Sequence, residues 1–388
     1  MKIFVSTGEV SGDLQGSLLV EALYRQAKLQ NIPIEIMALG GDAMISAGAD
    51  LLGNTAAIGS IGIIEALPFI IPTWRMQNRV KAYLRDNPPD LLVLLDYMGP
   101  NVSLGKYVRK NLPQVPIIYY IAPQSWVWSP NNKTIEQFAE ITDLLLAIFP
   151  EEARFFEQKG VNVKWVGHPL LDRIEKASTK EVARQSLGLE VDKPVIALFP
   201  ASRYQELKYH LPLICKAAKQ LQTKIPELHF LLPVSLKEYY GTIEKIVEKY
   251  DLSITLLDGR GIEAMAAADF AIAKSGTVNL ELALLNVPQL VLCLVNPLTM
   301  WIARNILKFS IPFMSPPNLI MMKEIVPELL QEDATVECIV EKSLELLLNN
   351  ECRQKTLSNY KEMRLLLGET GVCDRVANEI LHYKNTLE

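Results

Sequence analysis

Several features that define other protein classes are missing from this sequence of 388 residues. Its 39 Lys and Arg do not outnumber its 44 Asp and Glu, so the basic face of a nucleic-acid-binding protein is not expected. The five cysteines form an odd set without close pairing, which is typical of buried thiols in a reducing compartment. No cluster of His, Cys and carboxylates has metal-ligand spacing and no Asp-x-Asp motif occurs, so neither a metal nor another cofactor is expected.

Long apolar runs are missing as well. The N-terminal run is much shorter than the apolar core of a secretory signal, which predicts a cytoplasmic protein. The most apolar window, 58–74, contains Glu65, Pro68 and Pro72 and is shorter than the roughly 20 apolar residues of a membrane-spanning helix. Any membrane contact is therefore expected to be peripheral.

What the sequence does contain is a regular alternation of short apolar runs and helical stretches. In the first half, runs typical of buried parallel strands lie at 2–6, 34–39, 91–95, 117–120, 144–148 and 163–166. In the second half they lie at 195–199, 230–233, 254–256, 270–273 and 290–294. This alternation predicts an α/β fold with two Rossmann-like, doubly wound domains.

The domain boundaries follow from the places where the pattern changes. The first domain is predicted at 1–170 and the second at 171–350. Beyond Pro327 the periodicity is helical and no further strand is predicted, so the helices of 351–388 are expected to cross back to the first domain or to a partner subunit of a homodimer. Because such sheets bind ligands at the carboxyl ends of their strands, two facing domains predict a cleft suited to a two-substrate transferase.

The turn after the first strand is the first candidate site. Its glycines allow backbone amides to approach a ligand at a helix N-terminus, although the three-glycine spacing of dinucleotide sites is absent. An ordinary loop with Asp13 as the N-cap of the following helix is the alternative. The residues expected to line a ligand are Gly8, Glu9, Ser11, Gly12 and Asp13.

Three side chains near strand ends are further candidates in the first half. Asp96 ends the run 91–95, where a carboxylate can take a proton from a sugar hydroxyl or cap the next helix. Trp126, in the loop after 117–120, is suited to stacking on a sugar or an acyl chain, or to closing the domain core. His168 follows the last run and is either a ligand contact or a structural histidine.

In the second half, two strand ends carry groups suited to a diphosphate. Ser202 and Arg203 follow 195–199, and the Arg203 guanidinium either faces phosphate oxygens or pairs with Glu206 on the surface. The amides and hydroxyls that follow 270–273 start a helix and form either a second anion cradle or an ordinary helix cap. The residues of this second segment are Ser275, Gly276 and Thr277, with Glu281 one helical turn further on.

The window 61–75 is the most apolar of the chain and ends with Trp74 beside Arg75. It either dips into a bilayer surface or forms a buried connection in the first domain. The apolar side chains expected to meet a bilayer are Ile63, Ile64, Leu67, Phe69, Ile70 and Trp74.

These segments, in this order, resemble the lipid-A-disaccharide synthase family over nearly the whole chain. The most specific pieces lie at 8–13, 166–172, 275–281, 317–320 and 324–328. The resemblance implies an inverting GT-B glycosyltransferase that moves 2,3-diacylglucosamine from UDP to the 6-hydroxyl of 2,3-diacylglucosamine 1-phosphate, forming lipid A disaccharide 1-phosphate and UDP. It also implies a peripheral position at the inner membrane, with the apolar window as the membrane-binding region.

The resemblance also implies roles for single residues. Asp96 corresponds to the family's candidate base, and His168 is kept as a second candidate. Asn101 belongs to the acceptor-side motif and Asn318 to a motif of the second-domain cleft. The residues implied for the UDP-sugar are Ser202, Arg203, Ser275, Gly276, Thr277, Glu281 and Asn318.

The chain departs from the family pattern at several points. Where the family reads Asp-x-Pro-Asp-Phe-Asn, this chain has Gly99 in place of the second Asp, and Ser129 and Lys323 stand where the family has arginines. Loss of these arginines bears on recognition of a phosphorylated acceptor. A glycolipid transferase with a different acceptor and a non-catalytic nucleotide- or glycolipid-binding homologue are therefore the alternatives. A UDP-N-acetylglucosamine epimerase shares the fold, but its carboxylate and histidine chemistry is not visible.

Overall fold

The computed structural model describes residues 1–55, 67–127, 132–201 and 203–383. They form two compact units. The first unit contains Met1–Arg173, Ile302–Ser310 and Leu367–Glu388, and the second contains Ile174–Trp301 and Ile311–Leu366. Each unit is built on its own parallel sheet.

In the first unit, the described residues form a seven-stranded sheet of order β3-β2-β1-β4-β5-β6-β7, where every neighbouring pair is parallel. The central strand β4 is buried at every residue, as expected for a parallel strand covered on both faces. The strands are β1 (Lys2–Ser6), β2 (Glu35–Gly40), β3 (Asp50–Asn54), β4 (Leu91–Leu95), β5 (Ile117–Tyr120), β6 (Leu144–Ala147) and β7 (Val163–Trp165).

The helices between these strands complete the doubly wound pattern of the first unit. They are α1 (Glu9–Leu29), α2 (Asp42–Ser46), α3 (Ile70–Asp86), α4 (Met98–Asn111), α5 (Asn132–Ile141), α6 (Pro150–Glu157) and α7 (Leu170–Glu175). Short 3-10 turns lie at Leu67–Phe69 and Gln124–Trp126.

In the second unit, the described residues form a six-stranded parallel sheet of order β10-β9-β8-β11-β12-β13. Its strands are β8 (Val195–Phe199), β9 (His229–Val234), β10 (Ile254–Asp258), β11 (Phe270–Lys274), β12 (Gln289–Cys293) and β13 (Glu328–Leu330). The helices that follow α7 in the chain are α8 (Lys180–Ser186), α9 (Tyr204–Lys224), α10 (Tyr240–Val247), α11 (Gly261–Ala267), α12 (Thr277–Leu284), α13 (Pro297–Asn305), α14 (Pro316–Met321), α15 (Val336–Leu348) and α16 (Asn350–Leu365).

The last helix, α17 (Val372–His382), belongs to the first unit, where it packs on α1. Arg25 pairs with Asp374 at 2.6 Å, and the Gln30 amide donates to Asn378 at 2.7 Å. Helix α16 instead packs in the second unit, against α15 and α14. The range 351–388, predicted as one set of returning helices, is thus divided at Leu367 between the two units.

Two strands and two helix starts differ from the predictions. Strand β3 is a half-buried edge strand with polar ends and Gly53, and β13 has only three residues, so neither forms an apolar run. Helix α1 begins at Glu9, inside the segment predicted as a turn, and α3 begins at Ile70, inside the apolar window. Part of the predicted loop at 6–13 and part of the apolar window are therefore helical.

Candidate active site

Each sheet changes its strand order at one point, and the candidate residues gather there. In the first sheet the order reverses between β1 and β4, and in the second between β8 and β11. Doubly wound sheets bind ligands at the carboxyl ends of the strands beside such a switch point. The segments after these four strands are therefore the candidate site residues of their respective sheets.

The carboxyl end of β4 has a strained backbone. Asp96 and Tyr97 have φ values of +46° and +48°, and Ile121, after the neighbouring β5, has a φ of +61°. Such values are costly for residues other than glycine, above all for a β-branched Ile. The Asp96 amide donates to the Ile121 carbonyl at 3.1 Å, and the Tyr119 hydroxyl donates to the Asp96 carbonyl at 2.6 Å. The half-buried Asp96 side chain is therefore carried by a main chain that is anchored on both sides.

Asn101 belongs to this scaffold. Its side chain is fully buried. The Nδ2 group donates to the carbonyls of Ser6, Leu95 and Asp96 at 3.1, 3.1 and 2.9 Å, and Oδ1 accepts from the Ser6 hydroxyl at 2.7 Å. These bonds tie the end of β1 to the end of β4. The Asn101 amide is thus used within the protein, and its place on the acceptor side stays a prediction.

The glycines after β1 serve close packing at the same point. A Cβ atom on Gly8 would lie 2.6 Å from the Tyr97 ring, and a Cβ on Gly12 would lie 2.1 Å from Oγ1 of Thr7. Any larger residue would push the turn away from β4. Glu9 and Ser11 lie half-buried in the first turn of α1, beside this contact.

Asp13 does not cap its own helix. Helix α1 has Gly8 as its N-cap. The buried Asp13 carboxylate instead accepts the amides of Gly41, Ala43 and Met44 at 2.7, 3.0 and 3.1 Å. Asp13 therefore caps α2, and it joins the segments that follow β1 and β2.

His168 is buried and neutral. Burial lowers its pKa to about 3. Its Nδ1 accepts the Leu170 amide at 3.2 Å, so the proton of the neutral ring lies on Nε2. The ring packs on Phe149 with a centroid distance of 5.1 Å, and Phe149 packs on Trp126 at 5.9 Å. Trp126 thus rests against the core of the first unit, which was the structural alternative for this residue.

A buried carboxylate that was not predicted lies behind these residues. Glu152, in the first turn of α6, is 1% exposed. Its two oxygens accept the amides of Ala122, Ile148 and Phe149 at 2.7, 2.8 and 3.1 Å. Burial and, to a smaller extent, the charge of Asp96 raise the pKa of Glu152 to about 7, although the three amide donors act in the opposite direction. The sequence signal that could have indicated Glu152 is an acidic residue at the start of a helix that directly follows a strand.

The switch point of the second sheet is marked by charged side chains, whereas that of the first sheet is marked by a strained backbone. Nη1 of Arg203 and Nζ of Lys274 both lie 2.9 Å from the same oxygen, Oε1 of Glu206. Each of the three side chains is less than 15% exposed. Their formal charges sum to +1, and they stand at the ends of β8 and β11. Glu206 is therefore a bridge between two cations, and Lys274 is a second cation that the sequence had not singled out.

The segment after β11 differs from the predicted amide cradle. The Ser275 amide donates to the Leu292 carbonyl at 2.8 Å, and the Gly276 amide donates to Oδ1 of Asn279 at 2.7 Å. The Ser275 hydroxyl donates to the Met314 carbonyl at 2.6 Å. Three of the expected anion donors thus already have acceptors within the protein. Thr277 begins α12, and Glu281 is 5% exposed one turn later.

Asn318 repeats in the second unit what Asn101 does in the first. It is fully buried, and its Nδ2 donates to the Val326 carbonyl at 2.9 Å and to Glu328 at 2.7 Å. Its Oδ1 accepts the amides of Ile325 and Val326 at 2.7 and 3.0 Å. Both groups of the amide hold the segment before β13, and the donor contact of Asn318 stays a prediction.

The apolar window is exposed where the structure describes it. Leu67, Ile70, Ile71 and Trp74, here named the α3 patch, are 59%, 57%, 62% and 64% exposed, and Phe69 is half-buried. Within the described ranges, no helix has the length and apolar character needed to cross a membrane. The predicted contacts of Ile63, Ile64 and Ser202 lie outside the described residues, as do Trp128 and Ser129.

Comparison with known proteins now gives the family. A sequence profile named lipid-A-disaccharide synthetase matches residues 3–380. The lipid-A-disaccharide synthase of Gloeothece citriformis is 63% identical over 383 residues, covering 99% of this chain and 100% of the relative. That of Synechocystis sp. is 57% identical, covering 99% and 98%. The chain belongs to the lipid-A-disaccharide synthetase family. It is therefore a glycosyltransferase.

The fold of this family member is GT-B, as the two Rossmann-like units indicated. The solved structure of UDP-GlcNAc 2-epimerase from Neisseria meningitidis bound to UDP-GlcNAc matches with a TM-score of 0.67, covering 98% of this chain and 100% of that one. At 13% identity this likeness concerns the fold alone. The epimerase alternative gains nothing from it.

Proposed function

We propose that the chain forms lipid A disaccharide 1-phosphate by moving 2,3-diacylglucosamine from UDP to the 6-hydroxyl of 2,3-diacylglucosamine 1-phosphate, with release of UDP. Family membership supports this reaction. The observation that carries it to the level of residues is Asp96, a half-buried carboxylate on a strained, doubly anchored main chain at the switch point of the first sheet. Strain of this kind persists where a functional group has to be held in place.

Asp96 is the general base in this proposal. It takes the proton of the acceptor hydroxyl while that oxygen attacks the anomeric carbon of the donor. The bond from that carbon to the diphosphate breaks, and both of its electrons leave with UDP. A single displacement of this type inverts the anomeric carbon.

His168 is unsuited to the role of base. Its Nδ1 already accepts the Leu170 amide, and its Nε2 carries the proton of the neutral ring. The same arrangement makes Nε2 a hydrogen-bond donor. In our proposal His168 therefore donates to a substrate oxygen, while Asp96 accepts the proton.

The donor diphosphate is proposed to bind at the switch point of the second sheet. Arg203 and Lys274 place two cationic side chains at the ends of β8 and β11, where both contact Oε1 of Glu206. Cationic side chains in this position are suited to phosphate oxygens. The guanidinium fork of Arg203 fits phosphate oxygens, whereas Lys274 acts as a point charge. The remaining proposed donor contacts are Ser202, Ser275, Gly276, Thr277 and Glu281, with Asn318 in a supporting position.

The acyl chains of the substrates are proposed to reach the first unit through the α3 patch. The Tyr97 hydroxyl is hydrogen-bonded to Thr73, which precedes Trp74 in α3. The Trp74 end of the patch therefore lies near Tyr97, the residue that follows Asp96. We infer peripheral binding at the cytoplasmic face of the inner membrane, with Gly8, Glu9, Ser11 and Gly12 on the acceptor side.

The test of the reaction is UDP release from UDP-2,3-diacylglucosamine in detergent, with and without 2,3-diacylglucosamine 1-phosphate. We expect release that depends on the acceptor and collapses in Asp96→Ala. Release with another acylated glucosamine only would indicate a different acceptor. UDP binding without release on any acceptor would favour a non-catalytic binding protein, and a change of sugar configuration without release would favour an epimerase.

The membrane assignment is tested with anionic phospholipid vesicles. The double variant Ile70→Ser, Trp74→Ser is expected to lower vesicle binding at least about tenfold, because two large apolar side chains lose their insertion free energy. The matched control is Leu29→Ser, Trp165→Ser, which removes exposed apolar side chains elsewhere in the first unit. Equal loss in both variants contradicts the assignment.

The expected homodimer stays a prediction, and sedimentation in detergent tests it.

A further inference from the structure

Two carboxylates of the first unit have the same pattern of hydrogen bonds, although Glu152 is buried and Asp172 is half-buried. Each accepts three backbone amides. Glu152 accepts those of Ala122, Ile148 and Phe149 at 2.7, 2.8 and 3.1 Å. Asp172 accepts those of Gly371, Val372 and Cys373 at 2.6, 3.1 and 2.8 Å. Asp172 thereby caps α17, whereas Glu152 joins the segments that follow β5 and β6.

A short series of bonds leads from Glu152 to Asp96. The Ala122 amide is held by Oε1 of Glu152. The residue before it, Ile121, has the left-handed φ of +61° and accepts the Asp96 amide at 3.1 Å. A β-branched residue returns to negative φ when its neighbours allow it. Without Glu152, the Ile121 peptide can relax, and the Asp96 amide loses its acceptor, while the Asp96 carbonyl stays bonded to Tyr119 and Asn101.

A second series leads from Glu152 to His168. Oε2 of Glu152 holds the amides of Ile148 and Phe149. The Phe149 ring packs on the His168 ring at a centroid distance of 5.1 Å. One buried carboxylate therefore fixes the main chain beside both residues that the reaction scheme uses in the first unit.

We propose that Glu152 is a positioning residue for the transfer, which holds Asp96 and His168 in their reactive positions without touching either substrate. This inference rests on the proposed function. It goes beyond helix capping, because the Ala122 amide lies outside α6 and belongs to the segment after another strand. Loss of that one bond is therefore expected to change turnover more than it changes binding.

The experiment compares Glu152→Gln with Asp172→Asn. Each substitution keeps the size of the side chain and turns one acceptor oxygen into a donor, so each breaks part of a three-amide site. For Glu152→Gln we expect kcat to fall about 10- to 100-fold with both KM values within about twofold, since a displaced base slows the chemical step rather than binding. For Asp172→Asn we expect the melting temperature to fall by about as much as for Glu152→Gln, with kcat unchanged.

Amide hydrogen exchange makes the same comparison without turnover. Glu152→Gln is expected to speed exchange in peptides that cover 94–98 and 119–124, whereas Asp172→Asn speeds it at 367–374. Equal kcat in the two variants, or unchanged exchange at 94–98, would overturn the positioning role. A wild type that releases no UDP would count against the proposed function instead, and the exchange result would still decide the inference. If Glu152→Gln does not fold, Glu152→Asp replaces it, with a smaller expected effect.

Discussion

The switch points of the two sheets lie at equivalent positions, but the residues around them differ in backbone conformation and in charge. Beside β4 the backbone is strained, and the buried Asn101 side chain is bonded to the main chain. Beside β8 and β11, the described residues have no left-handed φ, and three charged side chains meet on one carboxylate oxygen.

This difference follows from what each site has to do. A general base must be held at a fixed place, and a rigid main chain with a costly conformation achieves that. A diphosphate needs positive charge, which two flexible cations can supply without strain. In the proposed scheme the same topology serves proton transfer in one unit and anion binding in the other, and each prediction below tests whether these tasks are separate.

The largest expected effect separates turnover from nucleotide binding. Asp96→Asn should lower kcat about 1,000-fold, which is the usual contribution of a positioned base, while the Kd for UDP stays within about twofold. Single-turnover kinetics and calorimetry measure the two quantities. Asp86→Asn, an exposed acid of the same unit, is the control. A loss of UDP affinity in parallel with kcat would mean that the two tasks are not separate.

The next effect concerns the two buried asparagines. Asn101→Ala and Asn318→Ala should each lower the free energy of unfolding by about 3 kcal/mol, because each leaves several buried main-chain groups without a partner. Asn349→Ala, which removes an ordinary N-cap of α16, should cost about 1 kcal/mol. Urea denaturation measures all three. Near-wild-type stability with lost UDP binding in Asn318→Ala would restore its role as a ligand contact.

The second switch point is tested by two arginines in the same local setting. Arg203 and Arg260 are both helix N-caps paired with a Glu three residues later, but only Arg203 stands at the switch point. Arg203→Ala should weaken UDP binding about 10- to 30-fold, as expected for a charge-assisted contact. Arg260→Ala should leave it unchanged. Equal effects would show that general positive charge, rather than this position, binds the nucleotide.

The smallest effect is a pH dependence with opposite signs at two residues. Glu152 has a folded pKa of about 7, above its usual value, so its contribution to stability grows as the pH falls from 8 to 5. His168 has a folded pKa of about 3, below its usual value, so its contribution is lost over the same range. As the pH falls from 8 to 5, the free energy of unfolding of the wild type minus that of the variant should therefore increase for Glu152→Gln. Over the same range it should decrease for His168→Asn, in each case by roughly 1–2 kcal/mol. Urea denaturation at pH 5 and 8 measures this, and equal signs would contradict the assignment.

Most of the fold could be predicted because its signals are local. Buried parallel strands are continuous apolar runs, and nearly all of them lie where the runs lie. Strands β3 and β13 escaped because they are edge strands that keep polar residues or span only three positions. The start of α3 escaped because apolar residues and prolines at 70–72 gave no helical periodicity, although they face outward in the structure.

The candidate site was predictable only where a residue stands directly at a strand end. Asp96 and Arg203 could be placed because a strand end defines the position of the next residues. In the sequence, Asn101 and Asn318 were candidate ligand contacts in the same way as Asp96 and Arg203. In the structure their side-chain amides are hydrogen-bonded to groups of the protein, some as distant in the chain as Ser6. Glu152 was missed because its partners come from two other segments of the chain, and Lys274 because its carboxylate lies 68 residues away.

Local pattern therefore determined the architecture, the two switch points and the family, since periodicity, strand ends and motifs need no knowledge of distant contacts. Only the tertiary structure decided which polar side chains remain for ligands and which stabilise the protein. The physical reason is that a buried polar group must find a partner, and that partner is supplied by whichever strand or helix the fold brings beside it. Asp96 and Asn101 are five positions apart, and the fold gives them different tasks.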